Sequence, residues 1–484
     1  MKRPSYELPS ELDPEIRKNT GAFYTPPDIV DFMVGELLRN RKLPLRICDA
    51  ACGGGAFLEG VLRYVRKNAP ETFKACCQNL RGMDINPNAL LLAQKNLPDI
   101  PKENFICADT LELEYPAEKP FDIIIGNPPY LCGGLKNNAS FPRERQQQLK
   151  KRFPESFEYK MNLFALFMEQ STRMADEFSL IVPDSFLCGR YFSRLRRYLA
   201  EEFSLQTLLI LEKPAFDAAP GNAVILHAAR KKSDSPLLCA ALPPGGVPAD
   251  IPFYPNDQRR FLEEERFRYQ PFFSETEEKI INKLRRIPDK VKDHFKFASG
   301  IIGKAGKNAL ISKEAAPNCV PGIIYGREIR PFEIRREGFF LDITRQKIKS
   351  GLDHERFSDP RIFLRQTGSR LICAVSREKL YALNNCHTGT PTGDFPLETL
   401  AALLNSSILN FYYAFISGEH NKNFAQIDID LLNQLPLKRT PAFDRFAATC
   451  TNAPEDLEEL DIRCARLFGI TPKELAWIKK SPVR

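Results

Sequence analysis

The chain has 484 residues, of which 43% are hydrophobic and 27% are charged, and its formal net charge is +8. This length predicts two domains, and the composition is typical of a globular protein. No apolar run reaches membrane-spanning length, the first residues lack the apolar core of a signal peptide, and the charge is too small for a bulk polycation.

The first predicted element is a buried strand, residues 45–49, which runs into the turn Gly53-Gly54-Gly55 and then into a helix. Three glycines between a strand and a helix let a ligand approach the backbone closely, as in nucleotide-binding folds. The spacing differs from the dinucleotide pattern G-x-G-x-x-G, and no Lys-Ser or Lys-Thr pair follows to make a phosphate loop. Asp49 ends the strand, where its carboxylate is placed to bind a cationic or amino group.

Two further predicted strands also end in carboxylates. Asp84 lies near the end of residues 80–85, at a suitable distance along the chain to hydrogen-bond ribose hydroxyls, and Asp109 follows residues 105–108. Any one acidic strand end is ordinarily a turn or helix-capping residue. Acidic residues at three successive strand ends predict a ligand site at the carboxyl edge of a parallel sheet.

The fourth predicted strand, residues 121–125, is an isoleucine-rich run that ends in Gly-Asn-Pro-Pro-Tyr. The two prolines fix the backbone and remove two N–H donors, which leaves carbonyl oxygens as the local polar groups. The segment therefore combines the amide of Asn127, the rigid carbonyl of Pro128 and the ring of Tyr130. This set suits an amino group on a flat ring, because two acceptors match its two N–H bonds and the ring offers a stacking surface.

In this order, the segments resemble those of the gamma-class S-adenosylmethionine-dependent DNA adenine-N6 methyltransferases, the TaqI-like enzymes. Residues 21–27 are similar to the leading motif of that family and precede a predicted amphipathic helix from Asp28. Residues 162–169 resemble the family's next helix, and residues 211–216 resemble the loop that carries a base-stacking aromatic. Ala50 is a departure, since many relatives have proline there, but the carboxylate before it is kept.

The resemblance implies two groups of site residues. The catalytic group, in which two rings would hold the faces of a flipped-out base, is Asn127, Pro128, Tyr130 and Phe216. The cofactor-binding group, in which Asp84 would take the ribose and Asp109 the adenine of S-adenosylmethionine, is Thr25, Asp49, Ala51, Gly53, Gly55, Asp84, Ile85, Asp109, Asn127, Pro129 and Phe167.

The reaction itself places few demands on side chains. Adenine N6 is a poor nucleophile because its lone pair is delocalised into the ring, and acceptors at Asn127 and Pro128 would localise that lone pair. No general base is needed, which agrees with a chain of only five histidines, none beside this motif. Cys132 follows the motif, but it lacks the preceding proline that cytosine-C5 chemistry would use.

The remaining segments bear on domain organisation. Residues 132–158 are polar and basic, and two interpretations stay open: a mobile loop over the site that also touches DNA, or a solvated insertion. Residues 233–252 interrupt the pattern with proline, glycine and serine and predict a boundary between domains 1–235 and 250–484. Before that boundary strands alternate with helices, which predicts a parallel sheet covered on both faces.

Beyond the boundary, arginines crowd short strand-like runs at residues 325–330, 335–336 and 361–370. Charge runs are usually solvated faces, but arginine with Gln, Thr and Ser also suits phosphate anchoring and base reading, and Arg365 is a candidate for DNA contact. These segments resemble the specificity domain of TaqI-like enzymes. An apolar stripe at residues 400–412 is assigned to the core, and residues 454–480 predict a helical appendage without an assigned use.

The predicted fold is therefore α/β: a Rossmann-like methyltransferase domain with a mostly parallel sheet, followed by a mixed α+β target-recognition domain. The resemblance implies S-adenosylmethionine as cofactor and double-stranded DNA as partner. It also implies a restriction–modification system, in which a separately encoded endonuclease would cleave, since no front-fused nuclease is expected. The thirteen cysteines have no paired C-x-x-C spacing, which favours reduced cytoplasmic thiols over disulfides or a metal site, and no membrane partner is expected.

Three functions are weighed. The favoured one is a sequence-specific DNA adenine-N6 methyltransferase that acts on a flipped-out base. The second is an amino-group methyltransferase for RNA or for a glutamine of a protein release factor; such enzymes generally lack the Thr25-Pro26-Pro27 segment and the arginine-rich half. The third is a non-catalytic DNA-binding module. Substitutions within the motif at residues 127–130 would favour it, and that motif is intact. N4 of cytosine also fits the amino-transfer chemistry, and the resemblance favours adenine.

Overall fold

The computed structural model describes residues 25–116, 118–130, 132–133, 142–212, 222–230, 235–357, 360–418 and 426–481. It divides into two compact units, Met1–Phe273 and Ser274–Arg484. The first unit is built on one nine-stranded sheet, and the second on several smaller sheets and a set of helices.

The first unit alternates strands and helices along most of its length. Its helices are α1 (Pro27–Leu38), α2 (Ala56–Asn68), α3 (Phe73–Asn79), α4 (Pro87–Asn96), α5 (Arg143–Arg152), α6 (Leu163–Met174), α7 (Ser185–Cys188) and α8 (Ser193–Glu202). Its strands are β1 (Ile47–Asp49), β2 (Leu80–Asp84), β3 (Phe105–Cys107), β4 (Ile123–Gly126), β5 (Cys132–Gly133), β6 (Met161–Asn162), β7 (Glu177–Pro183), β8 (Ser204–Leu211), β9 (Ala223–Ala229), β10 (Leu237–Leu242) and β11 (Tyr254–Asn256).

The nine-stranded sheet has the order β11-β10-β8-β9-β7-β4-β1-β2-β3. Strands β3, β2, β1, β4 and β7 pair in parallel, and so do β8 and β10, whereas β9 runs antiparallel to both of its neighbours. Because β2 lies on one side of β1 and β4 on the other, the strand order reverses at β1 and β4. Open α/β sheets bind ligands outside the carboxyl ends of the strands at such a point.

Both faces of this sheet are buried under helices. Ile123 and Ile125 of β4 face a core with the apolar sides of α1 and α2, and Ile124, between them, faces a second core with α6 and α8. This alternation follows from the two-residue period of a strand, and a run of isoleucines satisfies both faces at once. The predicted Rossmann-like α/β fold, with a mostly parallel sheet, is confirmed.

The end of the first unit differs from the limits expected from the sequence. Within the segment taken as a linker, residues 237–242 form β10, which pairs in parallel with β8, and β11 adds to the same sheet. Phe261 and Tyr269, farther on, are fully buried, with stacked rings whose centroids are 4.8 Å apart. The predicted limits 1–235 and 250–484 therefore leave out residues that complete the first unit, whose last residue is Phe273.

The second unit is a mixture of short strands and helices, as predicted. Its strands are β12 (Phe295–Ser299), β13 (Ile302–Gly303), β14 (Ile311–Ser312), β15 (Cys319–Ile323), β16 (Ile329–Arg330), β17 (Glu333–Ile334), β18 (Phe340–Asp342), β19 (Ile348–Ser350), β20 (Arg361–Arg365), β21 (Cys373–Ser376), β22 (Tyr381–Ala382) and β23 (Cys386–Pro391). Its helices are α9 (Glu275–Arg285), α10 (Val291–His294), α11 (Leu397–Asn405), α12 (Ser407–Ser417), α13 (Ile429–Leu432), α14 (Pro441–Ala447), α15 (Pro454–Phe468) and α16 (Pro472–Lys480).

The apolar stripe assigned to the core is confirmed, because its leucine, isoleucine and tyrosine side chains on α11 and α12 are all buried. The appendage expected at residues 454–480 forms α15 and α16, which pack on α12. The Phe411 and Trp477 rings meet edge to face at 5.7 Å, and the Asp461 carboxylate accepts hydrogen bonds from the backbone N–H and hydroxyl of Ser407. The appendage thus covers an apolar helix of its own unit.

Within the described part of the chain, no single helix is long and apolar enough to cross a bilayer. The bent pair α11 and α12, at 68° to each other, meets that test only by length and composition, and its apolar side chains are buried in the second unit.

A buried carboxylate at the start of β7 ties β7 to β9 and to the segment after α1. Glu177 accepts hydrogen bonds from Nη1 and Nη2 of Arg41, at 2.7 and 2.6 Å, and lies 2.7 Å from Nε2 of His227. Burial by itself would raise the pKa of Glu177, but the bonds to His227 and Arg41 outweigh it and hold the pKa below its ordinary value of 4.5. Its contribution to folding stability is therefore complete above about pH 4.5 and is lost as the pH falls through the lower folded-state pKa.

Replacing Glu177 by glutamine is expected to lower the free energy of unfolding by roughly 2–4 kcal/mol at neutral pH, because Arg41 loses its counter-charge and His227 loses a buried hydrogen-bond partner. The difference from wild type should shrink in acid, where the wild-type carboxylate is protonated as well. Thermal melting at neutral and acid pH measures both effects. Glu201→Gln, which removes an exposed partner of Arg197, is the control and should change stability by about 0.5 kcal/mol or less. Equal melting of E177Q and wild type at neutral pH would contradict this role.

Candidate functional site

The carboxyl ends of β1, β2 and β4 bring the predicted polar residues to one edge of the sheet. Ile47 of β1 lies opposite Leu80 of β2 and opposite Ile123 of β4, so the three strands run in the same direction and end side by side. The acidic residues that end β1 and β2 and the motif that follows β4 are therefore neighbours in space, as the order of the segments predicted.

The glycine turn after β1 is fixed to the end of β2 by hydrogen bonds from two backbone N–H groups. The N–H of Cys52 donates to the Met83 carbonyl at 2.8 Å, and the N–H of Gly53 donates to Oδ2 of Asp84 at 2.9 Å. Gly53 and Gly55 have φ angles of +52° and +89°, which glycine adopts without strain. A Cβ at Gly55 would also lie 2.6 Å from Cδ1 of Leu97, so this turn needs glycine for space as well as for conformation.

Asp84 and Ile85 form a polar and apolar pair beside this turn. The second oxygen of Asp84 accepts the N–H of Asn86 at 2.8 Å, so both carboxylate oxygens are oriented by backbone donors and each keeps a lone pair for a hydroxyl. The Ile85 side chain is 64% exposed, an unusual position for an isoleucine next to a buried strand. A carboxylate for hydroxyls beside an uncovered apolar surface fits a nucleoside, with its ribose and flat base.

Asp49 is buried at the junction of β1 and β4. Its Oδ1 accepts the N–H of Ala51 at 3.1 Å, and the carboxylate lies against Gly126, where an added Cβ would come within 2.7 Å of it. Burial raises the pKa of Asp49 to about 8, with a smaller contribution from the negative charge of Asp84. A buried carboxyl of this kind is stabilised as an anion by a cationic group, so Asp49 suits an ammonium or sulfonium ligand.

Gly126→Ala is expected to lower activity by about 100-fold, because the new methyl group would displace either the Asp49 carboxylate or the motif that starts at residue 127. The control is Gly35→Ala in α1, where an added Cβ would have no neighbour within 4 Å. Ligand affinity and activity of both variants are to be measured on protein whose melting temperature is recorded. Activity of G126A equal to that of G35A would show that the contact between Asp49 and Gly126 does not constrain the site.

The two polar atoms of the Asn127 side chain differ in their hydrogen bonding. Its Nδ2 donates to Oγ1 of the buried Thr25 at 3.3 Å, and its Oδ1 is buried with no hydrogen-bond partner among the described residues. A buried oxygen without a donor costs free energy, and an N–H group of a ligand would satisfy it. Pro128, the next residue, is buried, and neither it nor Pro129 has an N–H of its own to offer.

Tyr130 is anchored beneath the motif by its hydroxyl, which donates to the Ile181 carbonyl at 3.1 Å. Burial raises the pKa of this hydroxyl well above its ordinary value, so Tyr130 stays neutral. Its ring meets the Phe164 ring edge to face at 6.3 Å. Phe167, predicted to flank the cofactor, is half-buried and packs against the same core. Phe216 lies outside the described residues.

Asp109, the third strand-end carboxylate, has a partner that the sequence did not predict. Its Oδ1 accepts the N–H of Leu111 at 3.0 Å, and its Oδ2 is paired with the guanidinium of Arg145 on α5. The segment 132–158, for which a mobile loop and a solvated insertion were weighed, contains this helix, and Leu149 of α5 is buried. Neither interpretation describes α5, which packs on residues 109–113. The helix is hard to predict because its sequence is polar and rich in arginine and has a single apolar residue, Leu149.

Several arginines expected on a DNA-binding face of the second unit have internal partners. Arg327 and Arg335 pair with Glu337 and Glu333, Arg361 is fully buried, and Nε of Arg365 donates to the Ile329 carbonyl at 2.7 Å. Burial lowers the pKa of Arg365, and its loss would remove a structural bond as well as a charge. The exposed side chains in these runs are Arg327 and Arg335, which pair with glutamates, and Arg330, Thr367, Ser369 and Arg370.

No group of three or more His, Cys, Asp or Glu in the described ranges is arranged to hold a metal ion. The site at the carboxyl edge is thus built from carboxylates, an amide, backbone carbonyls and rings. These groups can bind a nucleoside with a cationic substituent and can accept hydrogen bonds from an amino group.

Two protein families match this chain. The Eco57I restriction-modification methylase family matches residues 94–216, which include β3, β4 and the Asn-Pro-Pro-Tyr motif. The TaqI-like C-terminal specificity domain matches residues 322–437 of the second unit. Together the two matches cover the motif after β4 and the arginine-bearing strands, whereas Asp49, the glycine turn and Asp84 lie before them.

A relative and two solved structures agree with these matches. The type II methyltransferase M.TthHB8I of Thermus thermophilus is 26% identical over 382 residues, which are 77% of this chain and 81% of that protein. The structure of the type IIL restriction-modification enzyme MmeI in complex with DNA has a TM-score of 0.62 at 13% identity and covers 97% of this chain and 80% of MmeI. The DrdV–DNA complex has a TM-score of 0.59 at 14% identity and covers 90% of this chain, which spans 57% of DrdV.

The two structures share only the fold at these identities, whereas the family matches join the methylase segment and the specificity domain in one chain. Three observations agree with a methylase segment followed by a specificity domain. They are the order of the two matched segments, the strand order 3-2-1-4 within the sheet and the intact motif after β4. The chain is thus similar to Eco57I restriction-modification methylases over residues 94–216 and to the TaqI-like C-terminal specificity domain over residues 322–437.

Proposed function

We propose that this protein is a sequence-specific DNA methyltransferase that transfers a methyl group from S-adenosylmethionine to N6 of a flipped-out adenine. The observation that carries the proposal is the buried Oδ1 of Asn127, which has no partner among the described residues. It lies in the motif whose second acceptor is the Pro128 carbonyl. Two acceptors and no donor fit an amino group, which has two N–H bonds to give.

The residues around the turn fit S-adenosylmethionine by their chemistry. Asp84 would accept the ribose hydroxyls, and the exposed Ile85 would lie against the adenine ring. Asp49 would face the cationic methionine portion, whose charge offsets the cost of burying that carboxylate. Asp109 would accept the adenine amino group, and because Arg145 is paired with it, that ion pair would have to open or rotate. When bound, S-adenosylmethionine supplies an electrophilic methyl group.

Asn127 and Pro128 prepare the acceptor nitrogen for direct transfer. Each accepts one N–H bond from the amino group, which draws the nitrogen toward tetrahedral geometry and localises its lone pair. Thr25 holds the Asn127 amide in the orientation that turns Oδ1 to the site. Fixed dipoles and positioning of the reactants lower the barrier to transfer. The methylated amino group then loses its proton to water.

A duplex hides N6 inside its base stack, so the target base must leave the helix. Unpairing costs a few kcal/mol, and stacking on aromatic rings returns about 1–3 kcal/mol per base. Tyr130 is one such ring, and its anchored hydroxyl keeps it fixed beside the acceptors. The second ring is proposed to be Phe216, from the resemblance of residues 211–216 to the corresponding loop of TaqI-like enzymes.

The second unit is proposed to read the DNA sequence. The turn between β20 and β21 presents Thr367, Ser369 and Arg370 to solvent, and Gln426 lies beside it through a bridge to Thr367. Hydroxyl, amide and guanidinium groups are those that contact base edges and phosphates. These residues replace Arg365 as candidates for contact, because Arg365 is committed to the Ile329 carbonyl.

Sequencing of modified DNA tests this proposal. Unmethylated genomic DNA is incubated with the protein and S-adenosylmethionine, and methylated positions are read at single-base resolution. We expect N6-methyladenine at one short recurring sequence. Methylation scattered without a common sequence would remove the specificity role of the second unit, and modification confined to cytosine would change the acceptor base.

A further inference from the structure

A pair of stacked tyrosines lies outside the residues given a role so far. Tyr159 is 74% exposed, and its ring is stacked on that of Tyr191 at 5.3 Å with an angle of 12° between the rings. Exposing an aromatic ring such as that of Tyr159 to water costs free energy. The ring offers a flat apolar surface with a polar hydroxyl at its tip. Such a surface suits a ligand with flat rings.

Both tyrosines lie at the carboxyl edge of the sheet, beside the candidate site. Tyr159 stands two residues before β6, which pairs with β5 just after the Asn-Pro-Pro-Tyr motif. Tyr191 follows β7 and α7, and its neighbour Phe192 packs against Phe164 at 5.1 Å. Phe164 in turn meets the ring of Tyr130. The stacked pair therefore lies next in the sequence to a phenylalanine whose ring belongs to the same aromatic cluster as the proposed target-base ring.

The pair is held in place by a carboxylate. Glu158, the residue before Tyr159, accepts a hydrogen bond from Oγ of Ser193 at 2.8 Å and another from the backbone N–H of Arg194, at the first turn of α8. These two hydrogen bonds connect the segment before β6 to the segment after α7. It also places the negative charge of Glu158 at a helix N-terminus, where backbone N–H groups offset it.

The charged side chains that flank the two tyrosines in the sequence are mostly positive. Nζ of Lys160 lies 5.7 Å from the centre of the Tyr191 ring, and the side chains of Arg190 and Arg194 are exposed on either side of that tyrosine in the sequence. In residues 158–160 and 190–194 the only acidic side chain is Glu158, which is engaged as described. Exposed cations interleaved with stacked rings are the chemistry that binds a nucleic acid strand.

We propose that Tyr159, Lys160, Arg190, Tyr191 and Arg194 form a surface that binds the DNA strand carrying the target base. This inference rests on the proposed function and extends it to residues outside the motif. The cations contact phosphates next to the flipped-out nucleotide. The exposed face of Tyr159 stacks on the adjacent base or its sugar, which replaces part of the stacking lost when the target leaves the helix.

The test measures DNA affinity, its salt dependence and S-adenosylmethionine affinity for Tyr159→Ala, Tyr159→Phe and Lys160→Gln. The control is Lys67→Gln, since Lys67 is exposed in the last turn of α2, at the opposite edge of the sheet. We expect Y159A to bind DNA roughly tenfold more weakly and Y159F to stay close to wild type. K160Q should lower the slope of log affinity against log salt by about 0.9, and K67Q should not.

Melting temperature and S-adenosylmethionine affinity should be the same in all four variants, which separates DNA contact from loss of folding. If the wild type methylates DNA while Y159A and K160Q bind it as K67Q does, the tyrosine surface is overturned and the proposed function stands. If the wild type binds S-adenosylmethionine but no DNA, both are overturned.

Discussion

Asn127→Ala is expected to reduce the rate of methyl transfer by about 10³-fold or more, because it removes a preorganised acceptor from the reacting amino group. The affinity for S-adenosylmethionine should stay within about threefold of wild type, since cofactor binding rests mainly on the turn and the carboxylates at the ends of β1 and β2. Single-turnover kinetics with saturating DNA and an equilibrium titration of the cofactor measure the two quantities separately.

The matched control for this variant is Asn104→Ala. Asn104 is also a buried asparagine of the first unit, but its Nδ2 donates to the carbonyls of Cys77 and Gln78, away from the site. N104A should lower stability by about 1–2 kcal/mol while each folded molecule keeps its transfer rate. Transfer by N127A at the rate of N104A would exclude the amide oxygen as an acceptor that matters to the reaction.

Asp84→Ala is expected to weaken binding of S-adenosylmethionine by about 100-fold. The substitution removes the acceptor of two backbone N–H groups, from Gly53 and Asn86, and with it the proposed partner of the ribose hydroxyls. The glycine turn would lose its fixed position on β2, so the loss should be larger than that of a single ribose hydrogen bond. Isothermal titration of the cofactor into the purified variant gives the dissociation constant directly.

Asp99→Ala serves as the comparison, because Asp99 is an exposed carboxylate of the same unit that pairs with Arg66. Its loss should change neither cofactor affinity nor stability by more than about 0.5 kcal/mol. If D84A binds the cofactor as tightly as D99A does, the carboxyl end of β2 is not part of the cofactor site.

The elements that hold the site could be predicted from sequence because their signals are local. A run of isoleucines before Gly126 specifies a strand buried on both faces, and aspartates that follow short apolar runs mark strand ends. Since parallel strands must end at the same edge, the approach of Asp49, Asp84 and Asn127 followed from their order. The chemistry at that edge could then be read from residue types.

Other features depend on contacts that no local pattern contains. The strand β10 lies between proline-rich segments, which dominate the pattern over residues 233–252, and its strand character comes from pairing with β8. The helix α5 is almost entirely polar, so its packing on residues 109–113 through Leu149 and its pairing of Arg145 with Asp109 leave little trace in the sequence.

The arginine-rich runs illustrate the same limit. A guanidinium group bonds equally well to a phosphate, a carboxylate or a backbone carbonyl, so composition cannot separate these partners. In the second unit, Arg327 pairs with a glutamate, Arg361 is buried and Arg365 bonds to a carbonyl. Only tertiary structure shows that Arg370, at an exposed turn, is the better candidate for contact with DNA.

The identity of the methylated atom distinguishes the proposed function from its alternatives. The protein is incubated with tritium-labelled S-adenosylmethionine and, in parallel, with unmethylated DNA, RNA or a release factor, and each product is digested and separated. We expect label in N6-methyladenine from DNA alone, and a rate of labelling lower by about 10³-fold or more with Asn127→Ala. Label in RNA or in the release factor but not in DNA would contradict the proposed function and favour the second candidate, an amino-group methyltransferase of those substrates.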